Sequence, residues 1–300
     1  MARIALGMEI SDDKVVIARI EEQFNEPVVQ EIISLTLPSN IVVNGDIQDA
    51  DTLSELVTQA IEPWALGVAN VVVGLTSVPF LKITERFPIM PMDDLRSEIN
   101  IRLKNSPFFS GKQFQSGLMV PAAFRSGDQW NPPVLYAGIM KNIVDSVQDF
   151  ISLTGFNLVA VDLVPFSILR TISWKGLLKQ DHVLSIVIEN EYIDLGILLK
   201  GSLVFTHTIR RPMDKMIFDL DYSNEIISKV NQFLLAYGNY FPGGEVLDKC
   251  VLFSRLTLPV FWIEDFQKEF EELEFVEYSL FSNISFSEKQ FDKDRTFDVV

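Results

Sequence analysis

Three hundred residues, 48% of them hydrophobic and 22% charged, suffice for one large domain or two medium ones whose core needs no metal or disulfide staple. Forty-one acidic residues against 25 basic ones leave a net charge of −16, which repels nucleic-acid phosphate and the anionic inner leaflet alike. One cysteine, Cys250, sits in the apolar run Lys249–Ser254 and reads as a buried small hydrophobe, which excludes an internal disulfide and favours a reducing compartment.

The first ten residues lack the pattern of a signal peptide, and no apolar run approaches the roughly 20 residues of a membrane-spanning helix. The expectation is a soluble, cytoplasmic protein that reaches a membrane only through a partner.

Three strand-like runs open the chain, at 3–10, 14–20 and 28–37, the first two separated only by Ser11-Asp12-Asp13. An amphipathic helix follows, with Leu53, Leu56, Val57, Ala60 and Ile61 on one face. A Thr52-x-x-Glu55 capping box starts it and Pro63 lies beyond it. Asn70–Leu75 is valine-rich and short, as buried parallel strands are. After it comes a segment with elements of its own. Residues 81–87 alternate, Met92, Leu95, Ile99 and Leu103 share a helical face, and 117–123 and 134–140 are extended. A helix bearing Ile143, Val147, Phe150 and Ile151 and closed by Gly155 leads to a strand at 157–163, and Pro165 opens a closing helix.

Beyond a linker at 175–181 the order repeats. Strands at 183–188, 192–199 and 202–209 precede a helix with Ser223 as its cap, Ile226, Ile227, Val230, Phe233, Leu234 and Tyr237 on one face and Gly238 as its end. A strand at 249–254, a helix with Phe266, Phe270 and Leu273, and a strand at 275–280 complete the series; residues from 281 read as a closing helix or a tail. Seven acids face one lysine between Glu264 and Glu277, the pattern of a solvated surface. Three meandering strands, then helix, strand, helix and strand, given twice, imply two similar α/β lobes. The expected division is 1–174 for lobe one, with an inserted α+β subdomain at about 78–140, and 182–300 for a reduced lobe two.

That topology resembles the actin-like (ribonuclease-H-like) fold, and local stretches narrow the likeness. Asn44-Gly-Asp-Ile-Gln-Asp49, the run from Leu158 to Arg170 reading LVAVDLVPFSILR, and Gly201 to Ile209 reading GSLVFTHTI are similar to the PilM family of type IV pilus assembly proteins. The resemblance implies a cytoplasmic protein related to the division protein FtsA, with an ATP pocket between its lobes. It also implies a site near the insert for the cytosolic tail of an inner-membrane partner, PilN.

The residues depart from the family where it would bind ATP. Actin-like folds grip phosphate with two tight glycine-bearing hairpin turns. Here the first reads Glu9-Ile10-Ser11-Asp12-Asp13, without glycine. In the second, aligned on Asp194, Glu189, Asn190 and Glu191 stand where the related ATPases have glycines. Carboxylates about 4 Å from a phosphate charge repel it by roughly 1–4 kcal/mol per pair. A Gly-Gly pair expected after Phe253 is replaced by Ser254-Arg255-Leu256-Thr257, whereas Gly243-Gly244 lies in an earlier turn. Thirteen residues between Ile209 and Ser223 leave no room for the subdomain that walls the nucleotide. The expectation is therefore a pseudo-ATPase with no cofactor, no metal and no catalytic residue.

Other chemistry fares worse. His207 alternates with Leu203, Phe205 and Ile209 and reads as a core histidine, and His182 ends a linker; two histidines and one cysteine assemble no zinc site or Cys-His pair. A ribonuclease-H-like nuclease requires acids on its fourth strands, which carry none, and Arg210-Arg211 is too small a basic patch for nucleic acid. Phe87, Ile89, Met90, Met92, Phe108 and Phe109 either pack the insert's core or form an adaptable apolar groove for a partner peptide. Taken as partner-binding residues, they complete the expectation of a non-catalytic scaffold in pilus assembly. Its alternatives are the actin-like component of type II secretion or an ATP-binding PilM-type ATPase, and oligomerisation is left open.

Overall fold

A computed structural model describes residues 4–23, 26–76, 78–119, 134–174, 182–189, 192–199, 202–210, 220–240, 247–254, 258–278 and 285–286. Lobe one opens with β1 (Ile4–Ile10), β2 (Lys14–Gln23) and β3 (Glu26–Thr36), an antiparallel meander. The small hairpin β4 (Val42–Val43) and β5 (Asp46–Ile47) leads into α1 (Ala50–Ile61), then β6 (Asn70–Leu75). An inserted segment carries β7 (Phe80–Glu85), α2 (Met92–Asn105), β8 (Phe114–Met119) and β9 (Val134–Met140). Helix α3 (Lys141–Thr154), β10 (Asn157–Leu163) and α4 (Val164–Trp174) close the lobe. Lobe two comprises β11 (His182–Ile188), β12 (Tyr192–Leu199), β13 (Ser202–Arg210), α5 (Leu220–Tyr240), β14 (Lys249–Ser254), α6 (Val260–Glu269) and β15 (Glu274–Tyr278); β16 is Ser285–Phe286.

The two main sheets are built alike. Lobe one runs β10-β6-β1-β2-β3 and lobe two β15-β14-β11-β12-β13, with β6 and β10 parallel to each other and β1 beside β6, as β14, β15 and β11 are. Each first strand thus has an antiparallel neighbour, reached by a hairpin, and a parallel one, reached through a helix, as short right-handed connections require. The chain then returns to lobe one, where β16 pairs with Val28 and Val29 of β3. The segment beyond lobe two's last strand therefore contributes to the first sheet.

Helices α1 and α3 cover one face of the first sheet: Leu53, Val57, Ile143, Val147 and Phe150 share a core with Leu6, Met8, Ile10, Val71 and Val73. Val164, Phe166 and Ile168 of α4 join this cluster, which continues into lobe two through Val183, Val187, Leu198, Val251 and Phe253. The alternate residues of lobe two's strands, Leu184, Ile186, Ile188, Leu195 and Ile197, pack with α5 and α6 around Tyr222, Val230, Trp262 and Phe266. Both faces of that sheet are therefore buried, which explains its unbroken apolar runs.

Local chemistry sets the helix ends. The cap of α1 is Asp49, not Thr52: its carboxylate accepts from the Thr52 amide at 3.0 Å and its hydroxyl at 2.7 Å. These bonds favour the charged form and hold the Asp49 carboxyl below its ordinary value. Gly155, at φ 74°, ends α3 in the left-handed conformation. Gly238 does not end α5, which runs on to Tyr240, and Ser223 is not its cap, because it lies inside the helix, where its hydroxyl donates to Asp265 at 2.7 Å. Cys250 is fully buried and its thiol is pushed up to about 12 by burial. His207, in contrast to a core histidine, is exposed on β13; partial burial and the nearby Lys82 and Lys229 hold its imidazole below its ordinary value.

The third sheet, β7-β9-β8, carries α2 on one side around Phe87, Leu95, Ile99, Leu103, Phe109 and Tyr136. This is the inserted α+β subdomain, and its first strand lies against lobe two. Of the segments singled out by sequence, the linker at 175–181, Gly201 at the head of the family-like stretch, Arg211, Gly243-Gly244 and 255–257 lie outside the described residues.

Candidate functional site: the interlobe hairpins and the insert groove

Both hairpins that an actin-like ATPase would use for phosphate follow the first strand of their lobe. In the first, the Ser11 amide donates to the Lys14 carbonyl at 3.0 Å and the Ser11 hydroxyl to Asp13 at 2.6 Å. Asp12 turns aside. Its two oxygens accept the amides of Asn44 at 2.8 Å and Gly45 at 2.9 Å, gripping the β4–β5 turn. Those residues have φ of 51° and 75°, as a two-residue hairpin requires, and a Cβ on Gly45 would stand 2.9 Å from that of Val78. Glu9 accepts from the Thr76 hydroxyl at 2.8 Å. The PilM-like stretch from Asn44 to Asp49 thus has a physical basis: a glycine for the turn and an aspartate for the cap of α1. Asp12→Ala is expected to lower unfolding free energy by about 1 kcal/mol, read as a lower urea midpoint, because two backbone donors lose their acceptor.

In the second hairpin the Glu189 amide donates to the Tyr192 carbonyl at 2.9 Å. Asn190 and Glu191 lie outside the described residues. Glu189 is buried, 7% exposed, and Asp194 two residues past the turn is 2% exposed. Cross-strand pairing with Val187 and Thr208 puts Asp194 on the face turned to lobe one. There its Oδ1 meets Lys82 of β7 at 3.0 Å and accepts the Thr208 hydroxyl. Among the described residues no cluster of three or more potential metal ligands is found.

A second concavity lies between lobe one and the insert. Strands β10 and β8 are end strands of their sheets, and consecutive residues of each, Leu158–Leu163 and Gln115–Met119, line one groove of about 560 Å³. Consecutive lining residues mean that the groove follows the strand edges, where backbone groups are offered, and not one pleated face. Leu135, Ile139, Val144 and Phe166 make it apolar; Asp162 is its only charged lining residue among those described, and that carboxylate accepts the Ser167 hydroxyl at 2.5 Å. Val159, on its rim, is 58% exposed.

The aromatic residues singled out by sequence do not form this groove. Phe87 and Phe109 are 1% exposed core residues of the insert, so the reading of them as partner contacts is corrected: their rings pack among Tyr136, Leu103 and Phe108. Met90, Met92 and Phe108 are half-buried against the same core, leaving Ile89 as the exposed member. Lys82 was not singled out, and of the groove only the run from Leu158 was, as a stretch of family likeness and not as a site. The alternation along β7 was the one signal for Lys82, whereas an edge strand has no sequence mark of its own.

Two lobes of identical strand order, joined by a continuous core and carrying a sheet-bearing insert in the first, define an actin-like fold. Among solved structures, the chain is similar to the PilM-PilN type IV pilus biogenesis complex, with a TM-score of 0.71 over 98% of this chain and 94% of that one, at 15% identity. It is also similar to a Bacteroides thetaiotaomicron protein with an actin-like ATPase fold and unknown function, with a TM-score of 0.54, 11% identity and 91% of each chain covered. The cytoplasmic domain of EpsL, an inner-membrane component of the Vibrio cholerae type II secretion system, matches with a TM-score of 0.47, at 12% identity over 96% of this chain and 90% of that one. No protein-family model and no curated protein matches the chain. The expectation of a PilM-like, actin-like fold is met, as a likeness of fold.

Proposed function

We propose that this chain is a non-catalytic adaptor that holds an extended, apolar cytosolic segment of an inner-membrane assembly protein, in pilus biogenesis or a kindred secretion machine. The observation that carries the reading is the groove between β8 and β10, apolar, with Asp162 its only charged lining residue among those described, and walled by two strand edges. Strand addition suits such a site: backbone hydrogen bonds give affinity and alternate side chains give specificity. The PilM-PilN structure, whose fold this chain shares over nearly its whole length, is named for a type IV pilus biogenesis complex. No described helix is long and apolar enough to cross a membrane, consistent with recruitment through a partner.

The non-catalytic part of the reading rests on the hairpins. Neither has a glycine to let the backbone approach phosphate, Asp12 is committed to the 44–45 turn, and the buried Glu189 places negative charge where a triphosphate would come. Calorimetric titration with Mg-ATP is expected to give no heat of binding; low-micromolar affinity would overturn this part. For the groove, Val159→Glu puts an unpaired charge on the rim. It is expected to weaken capture of the cytosolic segment at least about tenfold, which is 1.4 kcal/mol of a buried charge's cost, with the thermal midpoint unchanged. Unaltered capture would remove the groove from the site.

A further inference from the structure

Strand β7 faces two ways. Leu81 and Ile83 pack on the insert's own core, whereas the alternate residues meet the rest of the molecule. Phe80 packs edge-on against Phe166 of α4 at 5.9 Å, and Lys82 reaches β12 and β13. The Thr84 carbonyl accepts from the Tyr240 hydroxyl at 3.3 Å, and Arg86, just past the strand, donates to the Tyr240 carbonyl at 2.7 Å while lying 5.7 Å over its ring. Strand β7 and the residue after it thus meet lobe two beside β9, which packs on β13, and Lys82 is the part-buried charge among these contacts.

The surroundings of Lys82 are those of a cation site. Asp194 lies in a face shared by the apolar Val183, Val187, Leu198, Val251 and Phe253 with the uncharged polar Ser185, Thr206 and Thr208, where an uncompensated carboxylate is costly. The Thr206 hydroxyl donates to the Leu195 carbonyl at 2.9 Å, so its oxygen is left to accept from the Lys82 ammonium at 3.2 Å. Oδ2 of Asp194 is buried with no hydrogen-bond partner among the described residues, so hydrogen bonds alone do not balance this charge. The acid sits two residues beyond the hairpin at which an actin-like ATPase would grip phosphate.

We propose that Lys82 is a built-in counter-cation, whose ammonium ties the inserted subdomain to Asp194 and Thr206 and holds the two lobes in one relative setting without a bound ligand. The inference goes beyond partner binding and does not depend on the groove. It also fixes where β7 sits, and so the insert sheet of which β8 is the far edge.

Distances between spin labels on Arg96→Cys in the insert and Lys268→Cys in lobe two test it; both sites are exposed, and the buried, high-pKa Cys250 stays unlabelled. The chain with Lys82 intact is expected to give one narrow distance, unchanged by Mg-ATP, and Lys82→Arg to keep it. Lys82→Met is expected to lose the narrow distance. Lys82→Met/Asp194→Asn removes both charges, so it folds where the single variant does not, and is expected to lose the narrow distance too. A narrow distance retained in the double variant, or one that shifts when Mg-ATP is added to the chain with Lys82, would overturn the proposal.

Discussion

Lys82→Met alone is expected to destabilise the protein by about 3–5 kcal/mol, and the double change Lys82→Met/Asp194→Asn by distinctly less. The asymmetry follows from where the charges are. The Asp194 side chain is 3% exposed and that of Lys82 15%, so removing the ammonium leaves a carboxylate in a low-dielectric face with, among the described residues, only the Thr208 hydroxyl to answer it. Converting that carboxylate to an amide removes the uncompensated charge and most of the penalty. A double-mutant cycle in urea therefore measures a large coupling energy between the two positions, with the single lysine variant the least stable of the set. Additive effects of the two substitutions would show that the pair is not electrostatically coupled, whatever the distance between the atoms.

The pair also marks where sequence reading stopped. Strands β6, β9, β10, β12 and β14 were legible to the residue, because a run such as Asn-Val-Val-Val-Gly-Leu at 70–75 suits a short parallel strand between turns, although β6 is buried on one face only and Val72 on the other is exposed. The duplicated order of elements followed from these, and with it the two lobes. Helix ends were less legible: Asp49 and not Thr52 caps α1, and α5 is already helical at Leu220, which puts Ser223 inside it with its hydroxyl on Asp265. Contacts between distant segments left no local trace. Asp194 was visible only as an alignment point, and Lys82, 112 positions away, only as one polar residue in an alternating strand. The groove was hidden for the same reason. That β8 and β10 are end strands is a property of sheet order, which no stretch of either strand encodes. The degenerate hairpins, by contrast, were readable because missing glycines are a local fact, although the commitment of Asp12 to the 44–45 turn was not.

Phe109→Ala separates the two meanings once open to the insert's aromatics. The ring is 1% exposed, lies 4.7 Å from that of Phe108 and 4.8 Å from that of Phe114, and closes over Gly138 so tightly that a Cβ there would come within 2.7 Å of it. Truncation leaves a cavity that this packed surround cannot collapse into, at an expected cost of about 3–5 kcal/mol. Ile89→Ala, on the exposed member of the same set, is expected to shift the urea midpoint little. Because Gly138 also lines the groove, loss of Phe109 should loosen the groove's floor, and capture of a cytosolic segment should fall in step with stability. If Phe109→Ala weakened capture while leaving the unfolding transition in place, the ring would belong to the binding surface after all and the insert would have to open to present it. If both fall together, the aromatics serve as the rigid backing that keeps β8 and β9 in position, and recognition belongs to the strand edges.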